Sequence, residues 1–66
     1  MMMRGSELIR LCRGYAGISL SQLAEKTGLH KSQINCWERG VHEPKFEYVL
    51  WMLDAMGFEL ELRRKK

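Results

Sequence analysis

Ser19-Leu20-Ser21-Gln22-Leu23-Ala24-Glu25-Lys26-Thr27-Gly28-Leu29-His30-Lys31-Ser32-Gln33-Ile34-Asn35-Cys36-Trp37-Glu38-Arg39-Gly40 fills the middle third of the chain, and its punctuation decides the fold. Ser19 and Gln22 stand at capping-box spacing. The Ser19 hydroxyl can accept from the Gln22 amide, and the Gln22 side chain can reach back to the Ser19 amide. A helix is therefore predicted over Leu20–Thr27, with Gly28 closing it. A second is predicted over Lys31–Arg39, ending at Gly40. Only Gly28-Leu29-His30 separates the two, and glycine suits the left-handed backbone of so tight a turn. Ala24 is small where two helices must approach closely. Leu23, Leu29, Ile34 and Trp37 supply the apolar contacts that hold the helices at an angle. This is a helix-turn-helix arrangement, with its core at 19–40.

Working outward, a first helix is predicted from Ser6 to Ala16. Ser6 is the expected N-cap, Glu7 suits the first turn, and Gly17 suits the position after the last. Ile9 and Cys12 face inward, while Leu8, Leu11 and Tyr15 form a second apolar stripe. Downstream, a fourth helix is predicted from Lys45 or Phe46 to Met56. Its stripe is Phe46, Val49, Leu50, Leu53 and Met56. Residues 58–63 then alternate apolar and charged, the pattern of a strand with one buried face. That strand has no partner within the chain. The expected fold is all-α: one compact four-helix domain over residues 1–66, with a short C-terminal β-strand able to pair across a dimer.

Composition bounds the rest. A chain of 66 residues supports one modest core and is marginal without a staple. Cys12 and Cys36 form no CxxC pair, and His30 and His42 do not stand at metal-ligand spacing with them, so reduced thiols and no metal are expected. Oligomerisation is the remaining staple. No signal-peptide core and no apolar run of about 18 residues is present, so no membrane partner is expected and the location is read as cytoplasmic. The formal charge is +3, but four of the basic residues are Arg63-Arg64-Lys65-Lys66. The remainder carries seven basic and eight acidic residues, so charge alone says little about nucleic acid. No nucleophile–base pair, paired carboxylates or phosphate-cradling glycine loop occurs, which argues against an enzyme, a cofactor or a small-molecule substrate. No aromatic platform for RNA is evident.

The stretch from Gly17 to the Trp37-Glu38-Arg39-Gly40 run strongly resembles the lambda-repressor-like, Cro-type (XRE) helix-turn-helix family. The resemblance continues through Pro44 to Gly57. It implies a sequence-specific regulator of transcription, a repressor, with helix 31–39 in the major groove of double-stranded DNA. A helical wheel reaches the same surface independently. Ile34, Trp37 and Glu38 face the body, while Ser32, Cys36 and Arg39 lie opposite, flanked by Gln33 and Asn35. Lys31 stands at the tip. Base reading is accordingly assigned to Lys31, Ser32, Asn35 and Cys36. Phosphate binding is assigned to Ser19 with the free amides of its helix, and to Gln33, Arg39, Lys45 and Arg13. Family members often carry glutamine at the position of Leu20, and its absence removes one expected phosphate contact. The resemblance also implies a structural pair between Arg13 and Glu38.

The ending Met56-Gly57-Phe58-Glu59-Leu60-Glu61-Leu62 looks like that of HipB-type antitoxins, in which a C-terminal strand completes an intersubunit sheet. Phe58, Leu60, Leu62 and Trp51 are the expected dimer surface. Pairing centred on Leu60 matches apolar residues but opposes Glu59 and Glu61. Pairing centred on Leu62 opposes Glu61 and Arg63 but sets Leu60 against Arg64, so the register stays open. Two functions follow. One is a homodimeric repressor on a near-palindromic operator, with half-sites about 34 Å apart. The other is an antitoxin that neutralises a toxin partner and autoregulates its operon. Either belongs in a bacterial or phage-infected cytoplasm, at the nucleoid. A toxin-like reading frame beside the gene would favour the second.

Overall fold

A computed structural model of the chain describes residues 3–61 and 63–65. Four helices follow in order: α1 (Gly5–Ala16), α2 (Leu20–Thr27), α3 (Lys31–Glu38) and α4 (Phe46–Ala55). Helices α1 and α4 pack on each other, and α2 and α3 pack on both each other and this pair. The core takes Ile9 and Cys12 from α1, Leu23 from α2, Ile34 and Trp37 from α3, and Val49, Met52 and Leu53 from α4. Each helix thus buries one stripe in this shared core, which is what makes short helices stable in water.

Helix ends follow local chemistry where the partner is local. The capping box forms, with Gln22 N donating to Ser19 Oγ at 3.1 Å and Ser19 N donating to Gln22 Oε1 at 2.8 Å. At the close of α3, Gly40 N donates to Trp37 O at 3.1 Å and Val41 N to Cys36 O at 3.0 Å. That pair of bonds is a Schellman motif, and it requires the left-handed φ of 77° that Gly40 adopts.

Three expectations are corrected. First, Ser6 is not an N-cap. Helix α1 begins at Gly5, Arg4 is the cap residue, and Ser6 is only 5% exposed within the first turn. The capping oxygen comes from far along the chain, as Gly5 N donates to Glu43 Oε1 at 2.9 Å. The approach is close: a Cβ on Gly5 would lie 3.0 Å from that oxygen and 3.2 Å from Pro44 Cγ and Val49 Cγ2, so a larger residue would push these side chains back.

Second, α4 is rotated from the expected stripe. Val49, Met52 and Leu53 are buried, whereas Phe46 is 68% exposed and Leu50 is also exposed. The helix is apolar on nearly every side, so spacing cannot single out one face. Tyr48 helps set the rotation, its ring 5.4 Å from Trp37 centroid to centroid. Third, the described part of 58–63 forms no strand, and Leu62 lies outside the described residues. A strand needs a neighbouring edge, and a single chain offers none. Instead Phe58 N donates to Leu53 O at 2.8 Å, and the Phe58 ring packs half-buried on the core beside the end of α4.

Candidate nucleic-acid interface

The turn between α2 and α3 is held by Thr27. Its hydroxyl donates to Leu23 O at 2.8 Å and accepts from Leu29 N at 3.2 Å. One buried side chain thus ties the last turn of α2 to the first residue beyond the bend. Gly28 takes φ 78°, and its amide donates to Ala24 O at 2.8 Å. Leu29 then packs partly buried against the core. These contacts fix the direction in which α3 leaves.

Helix α3 lies with Ile34, Trp37 and Glu38 buried. Lys31, Ser32 and Gln33 are exposed, Asn35 and Cys36 are half-buried, and Arg39 is exposed at the C-cap. The first turn of the helix therefore projects short, polar side chains into solvent. Ser32, Gln33 and Cys36 share a shallow depression of about 290 Å³, whose fourth wall is His42. Among the residues expected to bind phosphate, Ser19 and Lys45 are exposed at the N-caps of α2 and α4.

Arg13 is placed differently from these. Its Nε donates to Glu38 Oε2 at 2.8 Å and its Nη2 to Glu38 Oε1 at 2.9 Å, a two-pronged pair. Its Nη1 donates to Ile18 O at 3.1 Å. The side chains are 24% and 6% exposed. The guanidinium joins α1, the start of the α2 segment and α3 at one point. Bonding to the Glu38 carboxylate holds the Arg13 pKa above its ordinary value against the opposing effect of burial, so it stays charged at any working pH. Burial likewise pushes the Cys12 thiol up.

The expected dimer residues differ in exposure, and Leu62 lies outside the described residues. Trp51 and Leu60 are exposed, and Phe58 is half-buried against the protein's own core. Among the described residues there is no cluster of three potential metal ligands, and no helix is long and apolar enough to cross a membrane. The sequence reading missed three residues. Thr27 was legible as a hydroxyl next to the turn glycine. Glu43 bonds across 38 residues and had no local signal. His42 falls beyond α3, and only the folded loop brings it to the helix face.

A family model described as a helix-turn-helix domain matches residues 6–65. Neither a curated protein nor a solved structure matches the chain. The match spans both helices of the motif, its turn and the two helices that carry it, so the chain belongs to the helix-turn-helix domain family of DNA-binding regulators.

Proposed function

We propose that the protein is a sequence-specific transcriptional repressor that binds double-stranded DNA as a homodimer, with α3 in the major groove. One observation carries this reading. The outer face of α3 is polar and open at Lys31, Ser32 and Gln33, while its inner face is buried. A helix held this way presents donors and acceptors to base edges. Lys31 donates to guanine O6 and N7, Ser32 and Asn35 donate and accept, and Cys36 lies against a thymine methyl. Ser19 with the α2 amides, Gln33, Arg39 and Lys45 hold the phosphates on either side. Arg13 acts through Glu38 first, and the pair holds its guanidinium near the phosphates as a second role. Two such domains read a near-palindromic operator with half-sites about 34 Å apart. No metal or cofactor is needed for this, and the site of action is the cytoplasm.

Exposed apolar side chains support a protein partner as well. Tyr15, Phe46, Trp51 and Leu60 all stand in solvent, which favours self-association or capture of a second protein such as a toxin. The two readings are compatible in an autoregulating antitoxin.

The test is selection of bound sequences from a random duplex pool, followed by titration at several salt concentrations. A two-fold-related winning sequence and an affinity falling steeply with salt are expected. No enrichment over random duplex overturns the proposal.

A further inference from the structure

Helix α3 ends at Glu38, yet the surface that it presents does not end there. The Schellman bonds at Gly40 and Val41 reverse the chain sharply, so that the next residue, His42, comes back beside the helix. One position further, the Glu43 carboxylate is held by the Gly5 amide, and Pro44 is buried. His42 is therefore suspended between two fixed points. It is exposed, and its imidazole completes the depression lined by Ser32, Gln33 and Cys36. None of its atoms makes an internal hydrogen bond among the described residues. A loop held at both ends, offering a free imidazole beside a polar helix face, has the build of a contact residue rather than a spacer.

We propose that His42 is a specificity-determining residue of the DNA-reading surface. It donates a hydrogen bond to a purine acceptor in the major groove, beside the bases that face Ser32 and Cys36. The imidazole supplies one donor and one acceptor, and every purine presents N7 there. The depression gives the base edge room, because Cys36 is small and less exposed than Ser32, Gln33 and His42 around it. This inference rests on the DNA-binding reading above and adds to it a base contact from outside α3.

The experiment uses the full chain and the operator obtained by selection. Affinities of the wild type, His42→Ala and His42→Gln are measured on the operator, on all single-base-pair variants of one half-site and on random duplex. His42→Ala is expected to lose roughly 5- to 100-fold on the operator and to stop discriminating at one base pair. Its affinity for random duplex should change by less than about 2-fold, because the number of phosphate contacts is unchanged. His42→Gln, which keeps a donor, should retain or alter a preference at that same base pair. Unchanged discrimination at every position overturns the inference. So does an equal loss on operator and random duplex, which marks a phosphate contact, or a lowered melting temperature in both variants, which marks a structural role. If the wild type selects no operator at all, the DNA-binding reading itself has failed.

Discussion

Glu38 carries a full charge at 6% exposure, and only Arg13 justifies it. Glu38→Ala leaves the guanidinium without its two-pronged partner in a half-buried place. Because Arg13 retains some contact with water, the cost is about 2–3 kcal/mol, below the upper range for buried pairs. In a domain of this size that lowers the melting temperature by roughly 10–20 °C, read by circular dichroism. A melt unchanged within about 2 °C would refute the role. Arg13→Lys should fall almost as far, since an ammonium cannot make the parallel bonds. The two thiols separate by the same logic of burial. The buried Cys12 has its pKa raised, so the fold favours the neutral thiol. That contribution is complete below the unfolded thiol's pKa and fades as pH climbs past about 8.5. At pH 8 a thiol reagent should modify Cys36 readily and Cys12 only when denaturant opens the core. Equal rates for both would contradict the packing.

Helix α1 contains a glycine with no structural task. A Cβ on Gly14 would meet nothing within 4 Å, its φ is ordinary, and the position is exposed. Gly14→Ala should therefore stabilise the protein by about 0.5–1 kcal/mol, raising the melting temperature by roughly 2–8 °C. The opposite sign is expected at Gly40, where the φ of 77° is strained for any side chain. Differential scanning of the two variants side by side checks both. What the sequence disclosed follows the reach of each interaction. The Ser19–Gln22 box and the glycines after each helix act within four or five residues, and they were legible to within a residue. The inward set of α3 was legible because Lys31, Ser32 and Gln33 contrast with Ile34 and Trp37. The face of α4 was not, because an all-round apolar helix carries no such contrast. The α1 cap was not, because its oxygen belongs to a loop 38 residues away. His42 escaped notice for a related reason: its place beside Cys36 is set by a chain reversal, and spacing along a helix stops at the last turn.

The four helices leave apolar side chains uncovered. Trp51 is 47% exposed and Leu60 49%, and neither finds a place in the core. Joined with Phe46, they leave apolar surface that a second copy can cover. Sedimentation should give twice the 7.8 kDa chain mass at micromolar concentration, and the melting temperature should rise with protein concentration. Trp51→Glu combined with Leu60→Glu should return the monomer mass while leaving helix content intact. A concentration-independent melt in the wild type would remove the dimer from the proposed function. The Arg13 guanidinium has a consequence at this scale too. It bolts three elements together at one point, and Thr27 locks the bend between two of them. A reader so stiff has little give of its own, so any mismatch of curvature on docking falls on the double helix. Base pairs that the protein never touches then affect affinity through their bending stiffness, and flexible pyrimidine–purine steps at the operator centre should bind more tightly than a rigid A-tract there.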